Sequence, residues 1–293
     1  IAFACSNPGE QLKPNIILIL ADDLGYADLS CQGSKDIITP EIDLLAASGI
    51  RYTSGYVTSP QCGPSRAGIM TGIEPGRYGY FDNIEQRGLP DKAVVPIIPE
   101  LLKKCGYATG IVGKWHLGDD PYHPDSETWA EAPWKRGFDY CFIHGGGLSR
   151  YFPYSKEDQR IMLDQYKQDP RIREIRENTT RVSFPEFPEE SYITDLLTEA
   201  GTRFIDRHKD EPFFLYMSYN APHMPLQAKQ SDLDRNNHIK DEERRIFAGM
   251  MTALDRGVGQ ILDTLKSLKL DMKTIIIFLS DNGAPHPDAP GNN

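Results

Sequence analysis

Asn15-Ile16-Ile17-Leu18-Ile19-Leu20-Ala21-Asp22-Asp23 is the run of residues that most strongly indicates how this chain folds. Its apolar residues are continuous rather than alternating, which is typical of a strand buried on both faces of a parallel sheet. A second run of the same kind, Thr274-Ile275-Ile276-Ile277-Phe278-Leu279, ends in Ser280-Asp281-Asn282-Gly283. Carboxylates directly after a buried strand are costly unless they meet a cation. The sequence therefore predicts an α/β fold with charged side chains at one edge of its sheet.

Helix signals lie between these two strands. Thr39-Pro40-Glu41 combines an N-cap residue, a proline for the first helical turn and an acid, and Gly49 ends this helix. Further helices are predicted over residues 99–104, 191–208 and 241–269, and further strands over residues 52–57, 107–112 and 213–219. Because strands and helices alternate, we expect a mostly parallel central sheet flanked by helices.

Composition limits the classes of function. The chain has 293 residues, of which 39% are hydrophobic, so it can bury a large core in one domain or two. Its formal net charge of −10 argues against general nucleic-acid binding, which needs a basic face. The longest aliphatic runs are too short to cross a bilayer. Five cysteines without Cys-x-x-Cys spacing indicate neither a disulfide framework nor a zinc site; they are Cys5, Cys31, Cys62, Cys105 and Cys141.

Polar residues after the two apolar runs form a candidate cation site. In an open α/β sheet, ligands gather outside the carboxyl ends of the strands, so the pairs Asp22-Asp23 and Asp281-Asn282 would converge there. Three carboxylates and one amide, with no histidine nearby, make an all-oxygen site that suits Ca²⁺ or Mg²⁺ better than zinc. The alternative is that the first pair of acids belongs to a solvated turn.

A third stretch, Pro60-Gln61-Cys62-Gly63-Pro64-Ser65-Arg66-Ala67-Gly68-Ile69-Met70-Thr71-Gly72, concentrates reactive residues. Pro64 fits the first turn of a helix, which places Cys62 at a helix N-terminus where backbone N–H groups and the helix dipole favour an anion. Arg66 adds a planar, permanently charged fork suited to a tetrahedral oxyanion. The stretch indicates a nucleophile that faces sulfate or phosphate. The alternative is a loop-to-helix junction with a buried thiol.

Two more segments carry basic residues after predicted strands. In Gly113-Lys114-Trp115-His116-Leu117-Gly118, Lys114 and His116 are two residues apart, so on an extended segment both side chains face one pocket. In Asn220-Ala221-Pro222-His223-Met224-Pro225, His223 lies between two prolines beyond a strand. By itself, the first segment favours a surface turn, with an active-site role as the alternative. For His223 we favour a catalytic role, and the alternative is a structural histidine.

The string Cys62-Gly63-Pro64-Ser65-Arg66, with Thr71-Gly72 after it, resembles the signature of the type I, formylglycine-dependent sulfatases of the alkaline phosphatase superfamily. The two acidic pairs, the segment with Lys114 and His116, and Ala221-Pro222-His223 resemble further motifs of that family, in the expected order. The resemblance implies that a formylglycine-generating maturase oxidises Cys62, and that the hydrated aldehyde attacks sulfur. It also implies a divalent cation, Ca²⁺ rather than Mg²⁺, held by Asp22, Asp23, the modified Cys62, Asp281 and Asn282.

The same resemblance implies roles for the other site residues. Arg66 and Lys114 are expected to stabilise the charge on the transferring sulfate. His223 is expected to protonate the leaving alcohol, while His116 contacts the formylglycine hydroxyl and helps to regenerate the aldehyde. Ser65 is assigned mainly to recognition by the maturase. The expected activity is hydrolysis of a sulfate ester, and the polar, aromatic middle of the chain favours a sulfated carbohydrate.

Residues 15–293 are expected to form the catalytic domain, with residues 119–188 as a substrate-facing insertion. Side chains in that range that suit a sugar and its charge are Trp129, Trp134, Tyr140, His144, Arg150 and Tyr151. The family places another lysine beyond its Asp-Asn-Gly motif, and then a smaller C-terminal subdomain, but no lysine follows Lys273. We therefore expect a fragment, or a site that another chain completes.

Residues 1–14 are expected to be a tether. Ile1-Ala2-Phe3-Ala4-Cys5 resembles the end of a bacterial lipoprotein signal, in which the cysteine receives a lipid. This would place the protein outside the cytoplasm, in the periplasm or on the outer membrane. The alternative is a trimmed start of the chain.

Two other functions stay open on sequence grounds. Phosphodiester and phosphonate monoester hydrolases share the expected fold, and some share the cysteine signature, because sulfate and phosphate are both tetrahedral anions. A non-catalytic binder of sulfated glycans would keep an unmodified thiol at Cys62. Relative turnover of phosphate and sulfate esters would identify the first, and glycan affinity without hydrolysis the second.

Overall fold

A computed structural model describes most of the chain. The described residues are 13–83, 88–118, 129, 131–144, 150–153, 175–182, 187–188 and 190–284. Cys5, with its predicted lipid, and most of the predicted tether lie outside these ranges. Within the ranges, no helix combines the length and the apolar composition that crossing a membrane requires. The extracytoplasmic location stays a prediction.

Seven strands of the described residues form one sheet. They are β1 Asn15–Ala21, β2 Ala108–Lys114, β3 Tyr140–His144, β4 Ile175–Glu177, β5 Thr180–Val182, β6 Phe213–Ser218 and β7 Thr274–Ser280. Their order across the sheet is β5-β4-β3-β2-β6-β1-β7, and only the β3–β4 and β4–β5 pairings are antiparallel. The predicted α/β fold with a mostly parallel sheet is confirmed.

Six α-helices of the described residues accompany this sheet. They are α1 Pro40–Ser48, α2 Cys62–Thr71, α3 Ile98–Lys104, α4 Ile193–Arg207, α5 Gln230–Arg235 and α6 Glu242–Ser267. The side chains of β1 divide between two cores. Ile17 and Ile19 belong to the core that α4 and α6 line, whereas Leu18 and Leu20 belong to the core that α2 lines. Because both faces of β1 are covered, a continuous apolar run is the pattern that this position in the sheet requires.

Residues 52–57, predicted as a strand, form turns and irregular backbone instead. Tyr52 and Tyr56 are 78% and 91% exposed. Aromatic and β-branched residues favour a strand only where a neighbouring strand can pair with it and a core can cover one face. This segment pairs with no strand of the described residues, so the prediction was wrong.

β7 differs from its prediction in burial. The sequence predicts a strand covered on both faces, but β7 is the last strand of the described sheet, and Ile275 and Ile277 are about half exposed. A continuous apolar run indicates a strand without fixing its place in the sheet. The parallel pairing of β7 with β1 sets Ser280 opposite Ala21. As a result, the polar residues that follow the two strands lie side by side.

The predicted insertion over residues 119–188 also needs a correction. β3, β4 and β5 lie within this range and extend the sheet beyond β2. Tyr140 and Tyr151, proposed for sugar contact, are buried in the core, and Trp129 packs edge-on against Trp134 with 5.5 Å between ring centroids. Tyr140 and Tyr151 therefore serve core packing rather than sugar contact, whereas Trp129 and Trp134 are partly exposed. Most of the rest of the range lies outside the described residues.

The N-terminus of α1 is capped by α6 rather than by the predicted Thr39. The Asp255 carboxylate accepts hydrogen bonds from the backbone N–H groups of Glu41 (3.1 Å) and Ile42 (2.9 Å). Thr39 makes no capping bond, and its hydroxyl donates to Asp43 instead. A local sequence pattern could not show this arrangement, because the acid that caps the helix is more than 200 residues away along the chain.

Asp255→Ala is expected to lower the free energy of unfolding by about 1–3 kcal/mol, because it leaves two backbone N–H donors without their acceptor. Urea denaturation would show a lower midpoint with an unchanged slope. Asp263→Ala, which removes an exposed carboxylate from the same helix, should change stability by less than about 0.5 kcal/mol. Equal midpoints for the two variants would argue against the capping role.

Candidate active site

The candidate site lies at the carboxyl ends of four neighbouring strands. It brings together residues at or beyond the ends of β1, β2, β6 and β7, namely Asp22, Asp23, Lys114, His223, Asp281 and Asn282. Backbone hydrogen bonds of 3.0 Å fix these ends against one another, from Asp22 N–H to the Ala221 carbonyl and from Asp281 N–H to the Ala21 carbonyl. The two acidic pairs, remote in sequence, therefore share one edge of the sheet.

Cys62 is the first residue of α2 and is buried. Neighbouring side chains fix this turn, because Asn83 Oδ1 accepts the N–H of Gly63 at 2.9 Å and Gln61 Oε1 accepts the N–H of Asn83 at 2.8 Å. A Cβ atom at Gly63 would lie 2.1 Å from the Tyr80 hydroxyl oxygen, so the close approach requires glycine. Burial raises the pKa of the Cys62 thiol to about 11, so the unmodified thiol is protonated at neutral pH.

Arg66 lies on the next turn of α2 and is fully buried. Its Nε and Nη2 lie 2.9 and 2.8 Å from Asp281 Oδ2, and Nη2 lies 3.4 Å from Asp22 Oδ1. Its Nη1 donates to the Lys114 carbonyl at 3.0 Å and to Ser218 Oγ at 2.6 Å. One side chain therefore ties the ends of β1, β2, β6 and β7 to helix α2.

Lys114 and Asp22 form a second buried ion pair, with 2.6 Å between Nζ and Oδ2. Burial alone would raise the pKa of Asp22, but Lys114 and Arg66 hold it below its usual value. Burial alone would likewise lower the pKa of Lys114, but Asp22 raises it. Both groups are charged at neutral pH, because the attraction between them compensates the free energy that each loses when it is buried away from water.

The site carries more negative than positive charge. Among the described residues, the carboxyl groups of Asp22, Asp23 and Asp281 outnumber the side chains of Arg66 and Lys114 by one. Burial and the nearby negative charge of Asp22 raise the pKa of Asp281 to about 6, in spite of Arg66. A divalent cation would change the net charge of these five groups from −1 to +1. That sign suits an anionic substrate.

The donor atoms fit a hard divalent cation. One atom each of Asp22, Asp23, Cys62 and His223 lies within 4.8 Å of the others. The buried Oδ1 atoms of Asp22 and Asn282 have no hydrogen-bond partner among the described residues, although buried polar atoms normally have one. Asn282 Nδ2 donates to Asp23 Oδ1 at 2.6 Å, which fixes the amide beside the carboxylates. Carboxylate and amide oxygens are the ligands that Ca²⁺ and Mg²⁺ prefer.

His223 stands beside the carboxylates, where the sequence predicted no histidine. Its Nε2 lies 3.3 Å from Asp23 Oδ2, and its Nδ1 donates to the Met224 carbonyl at 2.7 Å. This leaves Nε2 as the nitrogen that faces the site. The buried Tyr151 hydroxyl, 2.7 Å from the His223 carbonyl and 2.8 Å from the Asn220 carbonyl, anchors the loop.

His116 reaches the same region by a route that the sequence did not predict. β2 ends at Lys114, and His116 has a left-handed backbone with φ of 52°, so strand alternation does not orient the two side chains. Burial, together with the charges of Lys114 and Arg66, holds the pKa of His116 well below its usual value. The imidazole is therefore uncharged at neutral pH. His144, at the end of β3, is buried and pairs in register with Lys114.

Sequence reasoning missed two residues that organise the site. The Ser218 hydroxyl accepts a hydrogen bond from Arg66 and donates one to the Lys114 carbonyl, both at 2.6 Å. The sequence feature that could have revealed it is a hydroxyl residue at the end of the apolar run of β6. Asn83, which holds the turn at Gly63, carried no signal in the sequence. Ser65, assigned by resemblance to maturase recognition, is buried, and its hydroxyl donates to the Asp281 carbonyl.

Known proteins resemble this chain along most of its length. The family model named Sulfatase matches residues 14–292. The chain is 34% identical to N-acetylgalactosamine-6-sulfatase of Sus scrofa, over 96% of this chain and 52% of that protein. It is 33% identical to N-acetylgalactosamine-6-O-sulfatase of Bacteroides thetaiotaomicron, over 94% and 60% of the two chains. The crystal structure of Ps i-CgsB in complex with k-i-k-neocarrahexaose matches with a TM-score of 0.81 and 42% identity, over 92% of this chain and 59% of that one.

The matches cover only part of each relative's length. The chain spans 52% of the first of these relatives and 60% of the second. What the comparisons describe is therefore the part that contains the sheet, α2 and the charged cluster.

Proposed function

Because this chain belongs to the sulfatase family, we propose that it serves the hydrolysis of a sulfate ester, with Cys62 as the precursor of the nucleophile. The observation that carries the proposal is the position of Cys62. It begins a buried helix and lies within 4.8 Å of Asp22, Asp23 and His223, next to two buried cations. A reacting sulfate at the thiol position would touch cationic, acidic and basic groups at once.

The proposal requires two groups that the standard amino acids do not provide, a modified cysteine and a metal ion. Formylglycine, formed from Cys62 by a maturase, would supply a hydrated aldehyde oxygen as nucleophile. A divalent cation, which we propose to be Ca²⁺, would polarise that oxygen and the sulfate when bound. Asp22, Asp23, Asp281 and Asn282 would hold the cation together with residue 62, and the partnerless oxygens of Asp22 and Asn282 support this assignment.

The basic residues stabilise charge and move protons. Arg66 and Lys114 are fixed by ion pairs before substrate arrives, so their positive charge costs no reorganisation during the reaction. His223 presents Nε2 to the site and, in its imidazolium form with a proton on each ring nitrogen, donates the Nε2 proton to the oxygen of the leaving alcohol. His116, neutral and buried, accepts a proton in the second half of the reaction.

A sulfated carbohydrate is the proposed substrate class. The support is that two relatives above 30% identity are named for the 6-sulfate of N-acetylgalactosamine. The test is sulfate release, measured by ion chromatography, from sulfated mono- and oligosaccharides and from matched phosphate esters. Faster release of sulfate is the expected result. Preferential turnover of phosphate esters would favour a phosphoester hydrolase, and binding without release of either anion would favour a glycan-binding protein.

Calcium is expected to stabilise the protein through the four proposed ligands. At a free concentration 100 times Kd, binding to the native state alone adds about 2.7 kcal/mol, which appears as a higher Tm. Asn282→Ala should remove most of this shift, because it deletes a buried ligand oxygen. Asp255→Asn, which alters an acid beside α1, should show the same Ca²⁺-dependent rise in Tm as the wild type. The same Ca²⁺-dependent rise in Tm for Asn282→Ala and the wild type would contradict the assigned site.

His223→Gln is expected to lower kcat for sugar sulfates by about 10²–10⁴-fold, the usual size of a general-acid contribution. The loss should be much smaller for 4-nitrophenyl sulfate, because its leaving group departs without a proton. His208→Gln, which changes a histidine at the end of α4, should leave both rates unchanged. Equal losses on both substrates would assign His223 a role other than leaving-group protonation.

A further inference from the structure

A buried carboxamide beside the site has no hydrogen-bond partner in the part of the chain that the structure describes. Asn220 is 3% exposed, and neither its Oδ1 nor its Nδ2 has a hydrogen-bond partner among the described residues. Burial of an amide without hydrogen bonds costs free energy that an apolar side chain of similar size would not cost. Unsatisfied buried groups of this kind are uncommon and concentrate at functional sites.

The backbone that carries Asn220 is held on both sides. Its carbonyl accepts the N–H of His223 at 2.9 Å and lies 2.8 Å from the Tyr151 hydroxyl. The next carbonyl, that of Ala221, accepts the N–H of Asp22. The backbone of Asn220 is therefore held between the acids that follow β1 and the histidine that follows β6.

The residues before Asn220 lead to the site. Ser218, the last residue of β6, contacts Arg66. Tyr219 contacts the helix layer instead, where its hydroxyl lies 2.8 Å from Thr198 Oγ1. Asn220 comes directly beyond the strand end, two residues after the contact with Arg66 and three residues before His223.

The side chains of Arg66 and Lys114 are already bound to several protein acceptors. Arg66 uses Nε on Asp281 and Nη1 on two further acceptors, whereas its Nη2 lies close to Asp281 and Asp22 without a hydrogen bond among the described residues. Lys114 Nζ is paired with Asp22 and has N–H groups to spare. Sulfate oxygens are hydrogen-bond acceptors only, so a neutral donor beside these two groups would add to the hydrogen bonds that they can offer.

We propose that Asn220 is a substrate-binding residue whose Nδ2–H donates to an oxygen of the sulfate group. This proposal deepens the function proposed above and rests on it. Arg66 and Lys114 supply positive charge, while Asn220 supplies a directional, neutral hydrogen bond at the floor of the site. The stability that the partnerless amide costs in the free protein is recovered when sulfate binds.

Inorganic sulfate is the probe, and isothermal titration calorimetry in Ca²⁺ measures its Kd. Asn220→Ala should weaken sulfate binding by roughly 10- to 100-fold, the value of a hydrogen bond to a charged group. Asn220→Asp should weaken it further, because it replaces the donor by a negative charge of the same shape. The control is Asn236→Ala, which removes a buried asparagine whose Nδ2 is satisfied by Asp232 and Thr252. It should bind sulfate as the wild type does.

Thermal unfolding without sulfate separates a binding role from a structural one. Asn236→Ala should lower Tm, whereas Asn220→Ala should leave Tm unchanged or raise it, since it deletes an unsatisfied group. A Kd for Asn220→Ala within about twofold of the wild type would overturn the proposal, as would unweakened binding by Asn220→Asp. Failure of the proposed function would look different: sulfate would bind through Asn220, but no sulfate ester would be hydrolysed.

Discussion

Replacement of Cys62 by alanine is expected to abolish sulfate ester hydrolysis, with kcat/KM lower by about 10⁴-fold or more, as when other enzymes lose their nucleophile. The buried cations, the carboxylates and His223 stay in place in this variant, but none of them can supply the reacting oxygen. Peptide mass analysis of the active wild-type protein should show residue 62 about 18 Da lighter than cysteine, partly restored by hydration. Protein made without a maturase should be inactive and carry the unmodified thiol.

The matched control for this variant is Cys141→Ala. Cys141 is also a buried cysteine, but it lies in β3 within the core. Its replacement should cost some stability through the cavity that it leaves, and it should keep kcat/KM per folded molecule. If Cys62→Ala retained more than about 1% of wild-type activity while Cys141→Ala behaved as expected, the nucleophile would have to be another residue.

Arg66→Ala is expected to lower the free energy of unfolding by about 3–5 kcal/mol, the usual result of removing one partner of a buried ion pair. The variant leaves Asp281 buried next to Asp22 without its cation and also removes the donors to Ser218 and the Lys114 carbonyl. Chemical denaturation in EDTA is the measurement, because a bound metal would compensate part of the lost charge. Catalysis, measured separately with Ca²⁺, should also be lost.

A graded variant and a control accompany Arg66→Ala. Arg66→Lys keeps the charge without the planar fork, so we expect an intermediate loss of stability. Arg203→Ala removes an exposed arginine that lies 4.0 Å from Glu199 and interacts with the Tyr140 hydroxyl, and it should change stability by less than about 1 kcal/mol. An unfolding free energy for Arg66→Ala that matched Arg203→Ala would show that the buried network contributes little to the fold.

Local patterns predicted most of the elements that build the sheet. The continuous apolar runs gave β1 and β6, and helical spacing of apolar residues gave α4 and α6, with ends displaced by only a few residues. These signals work because burial on one or both faces imposes a period on the chain. The failures share one cause. A strand at residues 52–57 and full burial of β7 depend on which neighbours cover the segment, and a local pattern carries no information about neighbours.

The site was predictable to the extent that its residues follow strands. The acids, Lys114 and His223 follow strands, and the parallel sheet explains why they meet, whereas α2 brings Cys62 and Arg66 to the same edge. The left-handed backbone at His116 and the approach of His223 to Asp23 were not predictable, because both depend on loop paths beyond the strand ends. Asn83 and Asn220 gave no local signal, since one asparagine in a loop resembles another until its surroundings are known.

The capping of α1 by Asp255 has a consequence for how the protein forms during synthesis. A nine-residue helix is marginal by itself, and the acid that completes its first turn follows it by more than 200 residues. At about 5–20 residues per second, the ribosome needs roughly 10–40 s to deliver that acid after α1 has been made. Through this interval the amides of Glu41 and Ile42 should exchange freely with solvent hydrogen. Once α6 docks, they should become protected together with it, as parts of one cooperative unit.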